Sequence, residues 1–197
     1  MATHKIDVKC DNSHPELKAE LRQRFLPANA RVLDLFCGTG QMYNLAYKDH
    51  VDHYVGVDKV KVHDPRICRL MDNRKFVKTQ PLDEYNVYDL DAYGCPWSLF
   101  WKILEKIPPG KYTFYMTDGT PLHLKMDDKV TRNISATEGL PRSMKIRGLY
   151  YYYLDIFNTM LLKVSEKFNL KISPIHYFRN EYHNVYYAHI PVEKLKV

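Results

Sequence analysis

Two carboxylates and two glycines near the start of the chain are spaced to hold a ligand. Asp34 ends one short apolar run, and Asp58 ends a second one further along. Gly38 and Gly40 lie between the acids and open a helix-like stretch over residues 41–48. Without a Cβ, these glycines let the backbone approach a ligand, and Asp58 is placed to accept hydrogen bonds from ribose hydroxyls. The pattern predicts a strand–turn–helix–strand unit that binds a nucleotide-like ligand at the carboxyl ends of parallel strands.

The acid before the glycines indicates the charge of that ligand. A pyrophosphate turn has the order G-x-G-x-x-G with no acid at the strand tip, since phosphates repel carboxylates. Asp34 instead favours a cationic ligand, and S-adenosylmethionine carries a sulfonium and an ammonium beside its adenosine. The order D-x-F-x-G-x-G over residues 34–40 also resembles the first motif of class I S-adenosylmethionine-dependent methyltransferases. A dinucleotide site and a glycine turn that holds no ligand remain the alternatives.

A second set of side chains suited to chemistry follows the predicted fourth strand. Asp91 and Tyr93 lie at its tip, which in a sheet of this kind is across from the cofactor. A carboxylate there can accept the N–H of an exocyclic amine, keep the nitrogen lone pair aimed and take the proton. An aromatic ring can stack on an unpaired base. Asp91 and Tyr93 are therefore the predicted catalytic residues, and methylation of a nucleobase amine is the predicted chemistry.

Five segments resemble one family, the tRNA guanine N2-dimethyltransferases. Residues 89–96 are similar to its D-x-D-P-F-G-S-P signature, and residues 117–122 to its T-D-T-A-P-L. Residues 147–149 and the helix after them resemble its E-x-x-L-R-I-L helix. Residues 171–177 and 183–188 are similar to its closing strands. The resemblance implies a Rossmann-like domain, S-adenosylmethionine as methyl donor and a guanine exocyclic amine in tRNA as the substrate.

The strand ends and the resemblance together assign residues to the site. Asp91 is the implied catalytic carboxylate, and Tyr93 takes the aromatic position. The residues assigned to the cofactor are Asp34, Phe36, Cys37, Gly38, Gly40, Asp58, Lys59, Thr79, Gln80 and Asp89. Those assigned to the substrate are Gly94, Cys95, Pro96 and Trp97. Within the first group, a structural role behind the site is the favoured interpretation of Asp89.

Some positions depart from the family pattern. Ala92 replaces its proline, and Cys95 replaces its serine. The third strand, predicted over residues 75–79, ends without the acid usually aimed at the adenine amine, so Thr79 or Gln80 would serve there. Cys95 suggests another chemistry, attack on a cytosine ring, although enzymes of that kind have proline before the nucleophile. DNA as the substrate, and a domain that binds cofactor or nucleic acid without turnover, also stay open.

The elements that position these side chains can be predicted from periodicity. A helix over residues 16–26 places Leu17, Leu21 and Phe25 on one face, and Pro27 ends it. Further helices are predicted over residues 96–106 and 147–168. Strands are predicted over residues 31–36, 54–58, 75–79, 85–91 and 111–117, with a closing hairpin over 171–178 and 182–190.

The fold class that follows is α/β. We expect a Rossmann-like class I methyltransferase fold with a central, mostly parallel seven-stranded sheet and an antiparallel C-terminal strand. Residues 1–197 are predicted to form a single methyltransferase domain. An N-terminal helical segment is assigned to residues 1–29, and a substrate loop to residues 119–146, which are too polar and too long for an ordinary connection.

Composition narrows the classes of partner. The 197 residues are 45% hydrophobic, which suits one folded domain. The net charge of +6 leans towards a polyanion, although it fits a solvated charged surface equally well, and the family resemblance favours RNA over DNA. No apolar run approaches the ~18 residues of a membrane span, so no membrane association is expected. Scattered cysteines and histidines predict no metal site and no disulfide framework, which suits the cytoplasm.

Overall fold

The structure is a computed structural model that describes residues 14–60, 68–126, 149–181 and 185–196. The strands are β1 (Arg31–Asp34), β2 (His53–Asp58), β3 (Cys68–Leu70), β4 (Val87–Leu90), β5 (Gly110–Asp118), β6 (Leu170–Ile172), β7 (His176–Arg179) and β8 (Tyr186–Lys194). The α-helices are α1 (Pro15–Phe25), α2 (Asn73–Thr79), α3 (Trp97–Lys106), α4 (Thr120–Met126) and α5 (Tyr153–Phe168). A π-helical turn covers Tyr43–Tyr47, and a 3₁₀ turn at Leu149–Tyr152 leads into α5.

The strands form one sheet in the order β3-β2-β1-β4-β5-β8, with β6 and β7 end to end along the outer edge of β8. The pairs from β3 to β5 are all parallel, whereas β8 runs antiparallel to β5. Because β6 and β7 are antiparallel to β8, β8 alone among the described strands runs against the others. The predicted fold class, a mostly parallel sheet seven strands wide with an antiparallel C-terminal strand, is confirmed.

Apolar side chains cover both faces of the sheet. The larger cluster joins one face to α2, α3 and α5, and the fully buried rings of Tyr88, Phe100 and Phe114 lie within it. The smaller cluster lies under α1 and the π-helical turn. Strands buried on both faces form parallel sheets of this kind, and their carboxyl ends meet at one edge, where Asp34, Asp58 and Asp89 are found.

The third strand was predicted wrongly. Residues 75–79 belong to helix α2, which begins after Asp72, whose side chain accepts the backbone N–H of Lys75 as an N-cap. The actual third strand, β3, has three residues and pairs with the end of β2. Thr79 and Gln80 therefore lie at the far end of α2, and the Gln80 carbonyl accepts from Lys106. They are away from the carboxyl edge, so their assignment to the cofactor is wrong.

Two other segments differ in detail from the prediction. The stretch predicted as one strand over residues 171–178 is divided into β6 and β7, because Pro174 has no N–H to donate to β8. The substrate loop predicted over residues 119–146 begins with helix α4 instead. The remainder of that loop lies outside the described residues, and the division of the chain into segments stays a prediction.

Helix α1 lies with its polar face on the sheet. Lys18 and Arg22 are each only 2% exposed, whereas Leu17 is 46% exposed. The predicted inward face of Leu17, Leu21 and Phe25 instead lines an open groove against β7, with a volume of about 410 Å³. Since burying an unpaired charge is costly, the inward cations require partners at the sheet.

Among the described helices, none is long and apolar enough to cross a membrane.

Candidate active site

The glycine turn between β1 and the π-helical turn has the geometry that its sequence predicts. Gly38 and Gly40 have φ angles of 44° and 89°, in the region that side chains with a Cβ rarely adopt. The backbone N–H of Gly38 donates to Asp58 over 2.9 Å. Among the described residues, and apart from its chain neighbours, the nearest heavy atom to a Cβ built on Gly38 is the Phe36 carbonyl oxygen at 3.8 Å. The hydrogen bond to Asp58 holds the turn against the end of β2.

Cys37 and Cys68 close the turn from the side of β3. Cys37 is buried and lies against Gly56, where a Cβ would come within 2.8 Å of its side chain. Its Sγ is 3.2 Å from the Sγ of Cys68. The glycine on β2 thus gives the cysteine room, and Phe36 beside it packs on the larger core cluster. Contacts from Phe36 and Cys37 to a cofactor stay predictions.

Asp34 lies beneath the turn rather than in the open space. It is buried and accepts hydrogen bonds from the Phe36 N–H at 3.0 Å and the Tyr54 hydroxyl at 2.8 Å. Burial, followed by the nearby charge of Asp89, raises the pKa of Asp34 to about 7. The carboxyl group therefore shapes the turn from below, and a direct contact with a cation stays a prediction.

Asp58 and Lys59 are on the exposed side of the same edge. The Asp58 carboxylate accepts from the N–H groups of Gly38 and Val60, which leaves further lone pairs on each oxygen. Lys59 pairs with Asp72 at 2.8 Å, and the hydrogen bond from Lys59 lowers the pKa of that carboxyl group. Asp58 can thus bind hydroxyl groups over the turn, while Lys59 also helps to fix the start of α2.

The tip of β4 holds Asp91 and Tyr93 in different surroundings. The Asp91 carboxylate accepts from Lys18 at 2.9 Å and from the Thr117 hydroxyl at 2.5 Å, and Arg22 lies 3.7 Å away. Tyr93 is 72% exposed, two residues beyond it. The tip of β4 thus carries a fixed acid and an exposed ring, and their contact with a base stays a prediction.

Asp89 is a structural residue, and its assignment to the cofactor is contradicted. It is fully buried. Its Oδ2 accepts from Arg22 Nε at 2.6 Å, and its Oδ1 accepts from Arg22 Nη2 at 2.7 Å. The Tyr47 hydroxyl donates to it as well, over 2.6 Å. With no exposed surface, Asp89 cannot touch a ligand. The ion pair between Asp89 and Arg22 instead anchors α1 on β4.

A second buried acid, Asp118, joins the tips of β4 and β5. It accepts from the Trp97 indole N–H at 2.5 Å, from Tyr153 and from both the N–H and hydroxyl of Thr120. Burial raises the pKa of Asp118, although the hydrogen bonds from Thr120, Tyr153 and Trp97 act to lower it. Trp97 is buried by this contact and Pro96 starts helix α3 from a buried position. Direct substrate contacts by the side chains of Pro96 and Trp97 are therefore wrong.

Glycine is required where the two tips meet. The Gly119 N–H donates to the Gly94 carbonyl over 2.7 Å, and a Cβ at Gly119 would lie 3.2 Å from that oxygen. Gly94 has a φ of 116°. The backbone just after Tyr93 is thus held to the residue that follows β5. The Tyr93 ring itself projects into solvent.

Cys95 lies in an environment that disfavours a nucleophile. Burial, then the charge of Asp118, raises the pKa of its thiol to about 11. The reactive form of cysteine is the thiolate, which is scarce under these conditions at neutral pH. Gly94 and Cys95 remain half-buried beside Tyr93, and their contact with a substrate stays a prediction.

The cations around Asp91 and Asp89 were missed in the sequence. Lys18 and Arg22 are four residues apart and so lie on one face of α1, at a spacing that matches the two acids of β4. Two acids at the end of a buried strand need partners, and this was the available signal.

Among the described residues, no cluster of histidine, cysteine or acid is arranged to hold a metal ion.

Comparison with known proteins places the chain by its fold. No family model and no curated protein matches the sequence. Many solved structures match over most of its length, among them the following three. TYW2 from M. jannaschii, in complex with AdoMet, has a TM-score of 0.55 at 13% identity, covering 95% of this chain and 80% of that one. TYW2 from P. horikoshii, in complex with MeSAdo, has a TM-score of 0.51 at 14% identity, covering 92% and 63%.

The third match is Trm5b from Pyrococcus abyssi, with a TM-score of 0.51 at 12% identity, covering 90% of this chain and 48% of that one. The chain thus spans about half of Trm5b and less than two thirds of the second TYW2. The fold is the Rossmann-like fold of the class I methyltransferases.

Proposed function

We propose that the protein is an S-adenosylmethionine-dependent methyltransferase that acts on an exocyclic amine of a nucleobase, with guanine in tRNA or another RNA as the substrate. The observation that carries the proposal is the tip of β4, where a fixed carboxylate, Asp91, and an exposed ring, Tyr93, follow the strand beside the glycine turn. The fold and the resemblance to the guanine N2-dimethyltransferases support the same chemistry.

The turn fits the methyl donor. Gly38 turns the backbone at the carboxyl edge with a positive φ, and Asp58 faces the same edge with lone pairs to accept from ribose hydroxyls. Gly40, Phe36 and Cys37 would complete the cradle. Bound there, S-adenosylmethionine supplies an electrophilic methyl group. The two TYW2 structures contain AdoMet and MeSAdo, ligands of this class.

Replacement of Asp58 by alanine should weaken binding of S-adenosylmethionine by about tenfold or more. The change removes a charge-assisted contact worth ~1.5–3 kcal/mol and releases the N–H of Gly38. Isothermal titration calorimetry on the folded variant measures it. Asp52 is an exposed acid just before the start of β2, whereas Asp58 is at its end. It provides the matched control, and Asp52→Ala should bind S-adenosylmethionine as the wild type does. Equal affinity in both variants would exclude Asp58 from the site.

Tyr93 is proposed to stack on the substrate base. Base–aromatic stacking contributes ~1–3 kcal/mol, so Tyr93→Ala should raise KM for the nucleic acid by about fivefold or more and leave the affinity for S-adenosylmethionine unchanged. Tyr93→Phe, which keeps the ring, should retain the wild-type KM. Steady-state kinetics with both variants test this. A loss shared by the phenylalanine variant would point to the hydroxyl instead.

The direct test uses labelled S-adenosylmethionine with separate pools of tRNA, other RNA and DNA, followed by identification of the modified nucleoside. We expect a methylated guanine amine from the RNA pools. A 5-methylcytosine product would favour the cytosine chemistry that Cys95 suggests, and labelled DNA alone would move the substrate to DNA. Binding of cofactor with no label in any pool would contradict the proposal. We place the reaction in the cytoplasm, since the four cysteines are scattered along the sequence without a C-x-x-C pair.

A further inference from the structure

Lys18 occupies an unusual position for a lysine. It is almost fully buried, and its Nζ donates to both oxygens of Asp91, at 2.9 Å to Oδ1 and 3.2 Å to Oδ2. The ammonium also lies over the Tyr187 ring, 4.9 Å from its centroid. A buried ammonium persists only when it is paired and hydrogen-bonded. The pair therefore defines a fixed place for both side chains.

The two oxygens of Asp91 are used unequally. Oδ1 accepts the shorter bond from Lys18 and a 2.5 Å bond from the Thr117 hydroxyl. Oδ2 accepts the longer bond from Lys18, with the Arg22 guanidinium 3.7 Å away. A carboxylate oxygen offers two lone pairs, so within the described contacts Oδ1 is saturated and Oδ2 is not. The Asp91 side chain is 14% exposed, so the carboxylate is not fully enclosed.

The charged and hydrogen-bonding groups that face Asp91 come from three elements. Lys18 and Arg22 reach it from α1, Thr117 donates from β5, and the buried Asp89 lies two residues back on β4. Burial would raise the pKa of Asp91, but the charges of Arg22 and Lys18 and the Thr117 bond outweigh burial and lower it. Asp91 is therefore a carboxylate throughout the neutral range.

We propose that Lys18 is a positioning residue for methyl transfer, which holds the Asp91 carboxylate so that Oδ2 accepts the N–H of the substrate amine. This inference rests on the proposed function. Under this inference, helix α1 has two roles. It neutralises the buried acids of β4, and through Lys18 it orients the Asp91 carboxylate for the reaction.

The role follows from the bonds that change. The amine nitrogen forms a bond to the methyl carbon as the carbon–sulfur bond breaks, and the electron pair of that bond goes to sulfur. The nitrogen becomes positively charged and then releases a proton to water. A carboxylate with a lowered pKa is a weak base, so Asp91 aims the lone pair and stabilises the new charge rather than carrying the proton away.

The test compares Lys18→Met with Lys18→Arg, which keeps the charge, and with Lys102→Met, which removes a charge from an exposed position on α3. The ¹³C signal of the Asp91 carboxyl carbon, assigned by its loss in Asp91→Asn, is followed between about pH 4.5 and 8. The acid limb of kcat/KM on the RNA substrate is measured over the same range.

We expect the Asp91 signal to be flat in the wild type, Lys18→Arg and Lys102→Met. In Lys18→Met a titration should appear at the acid end of this range, since removing an opposite charge at this distance raises a carboxyl pKa by about 1–3 units. An acid limb of kcat/KM should appear over the same pH interval. A merely structural lysine would lower activity equally at every pH.

Three results would overturn the inference. Methylation by Lys18→Met with an unshifted acid limb would exclude Lys18 from the reaction and leave the methyltransferase assignment in place. Faster turnover by Lys18→Met at neutral pH would show that the ammonium competes with the substrate amine for Asp91. A wild type that methylates no pool at any pH would remove the proposed function, and the positioning role with it, whatever the carbon signal shows.

Discussion

Asp91→Asn should lower kcat by ~10²–10³-fold and leave the affinity for S-adenosylmethionine nearly unchanged. Asparagine keeps the shape of the side chain but removes the charge that faces the substrate amine. Because the change also leaves Lys18 buried without a counter-charge, we expect some loss of stability as well. Single-turnover kinetics at saturating RNA, with calorimetry of cofactor binding, measure the two effects separately.

Two further variants separate chemistry from folding in this experiment. Asp91→Asn combined with Lys18→Met removes the unpaired ammonium, so stability should recover while activity stays low. Cys95→Ser should remain active, because the raised pKa of that thiol disfavours a nucleophilic role. An inactive Cys95→Ser protein beside an active Asp91→Asn protein would reverse the assignment and favour attack on a ring carbon.

The largest effect on stability is expected for Arg22→Met. It leaves Asp89 fully buried with one hydrogen bond, from Tyr47, in place of its bidentate partner. Breaking one side of a buried ion pair costs ~3–5 kcal/mol, a large part of the stability of a small domain. Urea denaturation at neutral pH should show the free energy of unfolding reduced by about this amount.

The same helix offers a matched control. Arg24 is exposed over the Phe25 ring, and Arg24→Met should change the free energy of unfolding by no more than ~0.5 kcal/mol. Arg22→Met combined with Asp89→Leu should be more stable than Arg22→Met alone, since both charges are removed together. Equal unfolding free energies for Arg22→Met and Arg24→Met would show that the buried pair contributes little.

Much of the sheet could be predicted because its strands have a strong apolar pattern. β1, β2, β4 and β5 lie within a few residues of their predicted positions, and each ends in the acid or turn that the site needs. β3 could not be found in this way. It has three residues, and Leu70 at its end is 59% exposed, so neither its length nor its polarity marks it as a strand.

The candidate site was predictable in its exposed half and not in its buried half. Glycines with positive φ and an acid at a strand end carry local signals, and Gly38 and Asp58 have the expected geometry. The partners of Asp89 and Asp91 are some 70 residues away in sequence, at 67 and 73 positions. Periodicity assigned α1 to the core by Leu17 and Leu21, but the stronger demand was neutralisation of two buried acids, which sequence spacing does not show.

Helix α1 also decides where this domain can be divided. The first strand of the described sheet begins at Arg31, so a boundary drawn from the strand pattern alone would fall between α1 and β1. A shortened protein that begins at Pro27 would keep the whole sheet, yet it would lose both cations that neutralise the end of β4. The counter-charges of β4 therefore lie ahead of the first strand, and a truncation at residues 26–30 would remove them rather than a linker.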